Sequence, residues 1–254
     1  MSLRAQLATG GTVLAARLAL EHGIACNAAG GSHHARRAQG AGFCTFNDVA
    51  VASLALLAEG AAENVLIVDL DVHQGDGTAD ILKDEPHAFT FSMHGERNYP
   101  VRKIASDLDI ALPDGTGDDA YLERLAPVLP QLSGQRHWDI VFYNAGVDVH
   151  AEDRLGRLAL SDGGLSARED MVIGHFRKQG VPLCGVTAAA IRPTCRRWPR
   201  ATPSCSRWRR DMRNSRAFHR FTETANRPIS LFLSSSGRNP LTLFLELLYP
   251  SYFL

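Results

Sequence analysis

Five short apolar runs, at 23–26, 65–68, 87–91, 139–143 and 181–186, alternate along the first 187 residues with segments of helical apolar spacing at 7–22, 47–59, 121–132 and 165–179. Runs of four to six residues are too short for helices, and their apolar character on both faces suits strands covered from both sides. With helices between them they predict βαβ units and a mainly parallel sheet sandwiched between helical layers. In such sheets ligands bind beyond the carboxyl ends of the strands. The residues that follow each run are therefore the ones to read for chemistry, and here they are rich in Asp and His.

The run 65–68 leads into Asp69-Leu70-Asp71-Val72-His73-Gln74-Gly75-Asp76-Gly77, where the period of two of an extended chain puts Asp69, Asp71 and His73 on one face. The run 139–143 leads into Asn144-Ala145-Gly146-Val147-Asp148-Val149-His150. Either cluster alone is as well explained by helix caps and loop hydrogen bonds; both at strand ends point to a metal. Carboxylate and imidazole ligands with one open position are what a catalytic zinc requires, since water and a substrate carbonyl share the vacancy. A third cluster, Gly30-Gly31-Ser32-His33-His34-Ala35, follows the first run. Asp69 and Asp76 are candidate acceptors for the His33 and His34 ring protons, which would fix their tautomers and tune a base near neutrality.

These residues resemble the histone deacetylase family, including its bacterial members and the acetylpolyamine amidohydrolases. The motifs are Gly30 to Ala35, Gly42-Phe43-Cys44-Thr45-Phe46-Asn47-Asp48, Asp69 to Gly77 and Gly146-Val147-Asp148, supported by Tyr99-Pro100, Leu112-Pro113-Asp114-Gly115-Thr116-Gly117, and Asp153-Arg154-Leu155-Gly156 before Leu160-Ser161. The resemblance implies an arginase/deacetylase-like three-layer α/β sandwich, incomplete at both ends, with residues 1–187 as a partial catalytic domain. It implies zinc ligands at Asp71, His73 and Asp148, with His34 as general base, His33 as its electrostatic or relay partner, and Asp69 and Asp76 behind the histidines. Gly42, Phe43 and Gly146 would meet the substrate, and a structural potassium ion would sit among Asp69, Asp71, His73 and the Ser92-Met93 segment. The implied substrate is an acetylated lysine peptide, an acetylated polyamine or another small acetylated amine. An arginase-like two-metal hydrolase is the neighbouring enzyme class; the adjacent His33 and His34 and the Gly42-Phe43-Cys44 segment favour the deacetylase.

The family places a tyrosine that donates to the reaction's oxyanion in a Gly-Gly-Gly-Tyr loop after the last of these strands. This chain instead reads Ala188-Ala189-Ala190-Ile191-Arg192-Pro193-Thr194. Codons for Gly-Gly-Tyr-Ser-Thr written GGC GGC TAT TCG ACC, read one base out of register, give Ala-Ala-Ile-Arg-Pro. Residues 188–254 hold 12 Arg, no Lys and 3 acids, against 15 Lys and Arg and 24 acids before them. The hypothesis is a reading frame that shifts at about Thr187, leaving 188–254 as a non-native or disordered tail; a gene sequence with an unshifted frame would sink it. On that reading the chain is a weakened deacetylase, and its alternative is an inactive metal-binding remnant or an interaction module.

Five cysteines without a CxxC pair suit a reducing compartment, and the start of the chain lacks the basic and apolar regions of a secretory signal. The expectation is a cytoplasmic chain with no membrane partner. Nucleic acid is not an expected partner either, because the basic residues fall in no recognised binding motif. Among lesser features, Cys44 and Cys184 are expected as core thiols, His137 and His150 as surface or loop residues, and 115–117 as a helix lead-in.

Overall fold

The computed structural model describes residues 2–187, so the expectations for the segment 188–254 lie outside the described residues. Its elements in chain order are α1 (Ser2–His22), β1 (Ile24–Asn27), α2 (Asp48–Ala58), β2 (Val65–Asp69), α3 (Asp76–Leu82), β3 (Ala88–Gly95), β4 (Leu108–Leu112), α4 (Asp118–Leu125), α5 (Val128–Gln135), β5 (Ile140–Asn144), α6 (Asp162–Lys178) and β6 (Leu183–Val186). The six strands form one all-parallel sheet in the order β1-β6-β5-β2-β3-β4. The expected mixed α/β architecture is what the chain adopts.

Alternation along the buried strands divides the core in two. Val65, Ile67, Ile140, Phe142, Cys184 and Val186 face a layer that includes Ala15, Ala19, Val49, Ala52 and Leu56 from α1 and α2. Leu66, Val68, Val141, Tyr143 and Leu183 face the opposite layer, with Tyr121, Leu125, Leu129, Leu165, Val172 and Phe176 from α4, α5 and α6. The central strands are apolar throughout because each face needs its own set of side chains.

Several elements differ from the sequence expectation for identifiable reasons. The single helix expected at 121–132 is two, α4 and α5, because Pro127 has no N–H to donate and opens the second helix at its N-cap position. Helix α6 begins three residues earlier than its apolar spacing suggests, since Ser161 caps it by accepting from the Gly164 N–H at 3.1 Å. The short helix α3 and the strand β4 are additions; β4 alternates half-buried and exposed positions at the sheet edge, a weak signal over five residues. His150 lies in a loop but is buried, its Nε2 3.2 Å from Asp162 Oδ1. The segment 115–117 does lead into a helix, with Gly117 at the N-cap of α4.

The strand order matters for function. From β2 the chain winds through β3 to β4 in one direction, while β5 pairs with the other side of β2 and β6 continues away from it. The carboxyl ends of β2 and β5 therefore flank the point where the winding reverses, where open parallel sheets form a crevice.

Candidate active site

Asp69 is the last residue of β2, and Asp71 and His73 follow it; Asp148 follows β5 by four residues. The two strands are in parallel register with Asp69 opposite Asn144, so their exit loops run side by side. The backbone ties them together: Leu70 N–H donates to Asn144 O at 3.0 Å, and Val72 N–H donates to Asp148 Oδ1 at 2.9 Å. Gly146 lies against Asp71. A Cβ there would fall 2.5 Å from Asp71 Oδ2 and 2.6 Å from Asp71 Cα, so only glycine allows this approach.

Asp71, His73 and Asp148 converge, one ligand atom from each lying within 4.8 Å of the others. His73 Nδ1 is 2.9 Å from Asp71 Oδ1 and 3.0 Å from Asp148 Oδ2. Burial would depress the His73 imidazole, yet Asp148 and Asp71 raise it to about 10. Burial and the Asp71 charge push Asp148 up to about 7. Asp71 is held below the usual carboxylate range, because His33 and His73 outweigh the effect of its burial. This cluster therefore demands positive charge between its two carboxylates. Asp71 Oδ2 is also buried without a hydrogen-bond partner among the described residues. Convergent ligand atoms, excess negative charge and an acceptor still lacking a donor together fit a divalent cation.

His33 and His34 lie beside this cluster, on the loop after β1. His33 Nδ1 is 2.7 Å from Asp69 Oδ2, and His34 Nδ1 is 2.7 Å from Asp76 Oδ1. The two Nε2 atoms face each other at 3.1 Å, and His33 Nε2 is 3.7 Å from Asp71 Oδ1. The carboxylate partners expected from the sequence are thus in contact. Burial disfavours charge on His33, but Asp69 and Asp71 lift it to about 9. Burial and the neighbouring His33 hold His34 below the usual imidazole range, against the pull of Asp76. The two adjacent imidazoles are thus shifted in opposite directions.

Gly42 has a φ of 52° and packs directly on the His34 ring, where a side chain would collide. Phe43 also has positive φ, 65°, and the residue is 99% exposed. Gly42 thus borders the histidine pair with Phe43 next to it in the chain, whereas Gly146 packs against Asp71. Four further residues carry no assignment from the sequence. Arg36 donates to Asp76 Oδ2 from Nη2 at 2.7 Å, and Asn144 Nδ2 donates to Asp69 Oδ1 at 3.0 Å. Tyr99 stands edge-on to His34 with ring centroids 4.8 Å apart, and Arg168 reaches in from α6. Of these only Asn144, directly after an apolar run, stood where site residues were sought.

The family model for the histone deacetylase domain matches residues 1–187. An uncharacterized protein of Picosynechococcus sp. is 54% identical over 183 residues, 72% of this chain and 61% of that protein. Histone deacetylase 2 of Arabidopsis thaliana is 35% identical over 182 residues, 70% of this chain and 47% of its own length. Among solved structures, a histone deacetylase homologue from Aquifex aeolicus superposes with a TM-score of 0.62 at 28% identity, covering 73% of this chain and 53% of that one. The HDA15 HD domain gives 0.61 at 27% identity, covering 73% and 58%. The chain thus spans about half to three-fifths of the length of these relatives.

Proposed function

Since this chain belongs to the histone deacetylase family, we propose that it is a zinc-dependent amidohydrolase acting on acetylated lysine or on an acetylated polyamine or other small amine. The observation that carries the reading is the buried Asp71, His73 and Asp148 group standing next to two histidines that are each backed by a carboxylate. Asp71, His73 and Asp148 would hold zinc, which supplies Lewis acidity toward the acetyl carbonyl and the attacking water.

The chain's own residues supply the proton handling. Asp76 fixes the proton of His34 on Nδ1, leaving Nε2 as the acceptor for a proton from water. His33, backed by Asp69, faces that nitrogen at 3.1 Å and serves as its relay partner for the accepted proton. The pair can then return a proton to the departing amine. Gly42, packed on His34, and the exposed Phe43 would meet the acyl chain as it approaches. A potassium ion among Asp69, Asp71, His73 and the Ser92-Met93 segment belongs to the same proposal, Asp69 and Ser92 being register partners in adjacent strands. So does a cytoplasmic location; no helix among the described residues is long and apolar enough to cross a membrane.

Because Ala189-Ala190-Ile191 stands where the family pattern calls for Gly-Gly-Tyr, we infer reduced turnover. One missing oxyanion donor costs about a hundredfold to a thousandfold in rate. The test is zinc-dependent hydrolysis of a fluorogenic acetyl-lysine peptide by the full chain, and by a chain in which residues from 189 on are replaced by Gly-Gly-Tyr and an in-frame, family-like C-terminus, with and without Asp148→Ala. The expected result is weak activity in the first and higher activity in the rebuilt chain, abolished in both by Asp148→Ala. Zinc-independent turnover, or turnover that survives Asp148→Ala, would overturn the reading.

A further inference from the structure

Arg168 is the largest side chain fully buried in the described fold, and it comes from α6 rather than from any loop of the site. Its Nη1 donates to two backbone carbonyls at once, Leu70 O at 3.1 Å and Gly146 O at 2.8 Å. Leu70 immediately precedes Asp71, and Gly146 lies two residues before Asp148. One nitrogen therefore bridges the β2 exit loop and the β5 exit loop directly behind the residues that carry the carboxylates. Glu169 also anchors the guanidinium, its Oε1 accepting from Nε at 3.1 Å and from Nη2 at 2.5 Å, and the buried Tyr121 hydroxyl bonds to the same side chain.

A buried ion pair of this kind is a poor source of net stability, because desolvating both charges offsets their attraction, and a well-packed apolar pair of similar size often serves the fold equally well. What a fixed fork of donors does supply is geometry. At this place the geometry is the separation of two loops that already meet where Gly146 touches Asp71, and a metal responds steeply to the positions of its ligands.

The geometry points to Arg168 as a positioning residue for the metal: by holding the Leu70 and Gly146 carbonyls together it sets the spacing of Asp71 and Asp148. This rests on the reading of Asp71, His73 and Asp148 as metal ligands. In this role Arg168 acts through two peptide groups. Glu169 is the counter-charge that keeps the guanidinium in register.

Two variants of the full chain test the assignment. Arg168→Lys keeps the buried charge but replaces the planar fork with a single ammonium, and Arg168→Met with Glu169→Leu removes both charges together so that neither is left alone. The readouts are zinc affinity by chelator competition, the visible spectrum of the cobalt form, and thermal unfolding of the metal-free protein. The expected result is a loss of zinc affinity of about 10- to 100-fold in the double variant and a smaller loss in Arg168→Lys, with altered cobalt bands and metal-free melting close to that of the parent. Unchanged affinity and spectrum in a folded variant would overturn the positioning role and leave the metal reading intact. Metal-free unfolding of both variants would overturn it in favour of a purely structural clamp. A parent chain that binds neither zinc nor cobalt would sink the metal reading, and this assignment with it.

Discussion

In the proposed reaction, Asp76 is the carboxylate that fixes the protonation of the base. Its Oδ2 is claimed by Arg36, which donates from Nε and Nη2, and its Oδ1 receives His34 Nδ1. In Asp76→Asn the amide oxygen would turn to Arg36, placing the NH2 group against His34 Nδ1 and driving the imidazole proton to Nε2. The base would then be in the wrong tautomer, and we expect kcat/KM to fall by at least about a hundredfold. Zinc affinity should change little, because Asp76 is not among the proposed ligands; steady-state kinetics beside a zinc competition assay separate the two effects. The thiols give an independent residue-level check. Burial pushes both Cys26 and Cys184 far above the ordinary thiol range, and they sit in adjacent strands β1 and β6. Iodoacetamide at pH 8 should label neither in the native chain and both in urea, as read by peptide mass mapping. Native labelling of Cys184 would mean that this side of the sheet opens.

Among the elements, α2 does more than cover the sheet. Its N-cap Asn47 accepts from Ala50 N at 2.9 Å while its amide donates to His33 O, Ala35 O and the Thr78 hydroxyl. One buried side chain thus caps α2, joins it to α3 and holds the backbone of the histidine loop. Asn47→Ala loses the cap and leaves buried carbonyls without their donor, so it should cost about 2–4 kcal/mol. Urea unfolding measures that loss. Because the His33 carbonyl loses its tether, kcat/KM should also fall, even at temperatures where the variant is fully folded. The cap itself was legible, since an Asn-Asp pair opens the helical pattern; its reach to residues 33, 35 and 78 was not, because nothing in local sequence ties position 47 to those carbonyls.

For the whole molecule, the proposed function implies that the two carboxylates at the sheet's reversal point couple metal to folding. Removing bound zinc with a chelator leaves Asp71 and Asp148 facing each other across His73, and the folded state loses whatever binding free energy the ion contributed. With free zinc at a hundred times its Kd the stabilisation is about 2.7 kcal/mol, a rise in Tm of about 5–10 °C for a chain of this size. Thermal unfolding with and without zinc should show it, and Asp148→Ala should abolish the shift. The same experiment bears on residues 188–254, which the sequence reading takes as out of frame: deleting them should leave the zinc-dependent shift unchanged, because the proposed ligands all lie before residue 149.

By itself the sequence determined the order of five of the six strands and of the longer helices between them, the placement of Asp and His after the strands, and two candidate carboxylates for the two histidines. These follow from local periodicity and from the rule that a parallel sheet presents its ligands at its carboxyl ends. Tertiary structure alone decided the rest. That Asp148 stands against Asp71 depends on β5 pairing with β2 across more than seventy residues of chain. That Gly146 must be glycine depends on Asp71 lying where its side chain would be. Arg168, on a helix whose local pattern gives no hint of it, became a bridge between two loops only when α6 packed beneath the sheet's reversal point. Contacts of this range leave no periodic trace, because each partner's local sequence is compatible with many others.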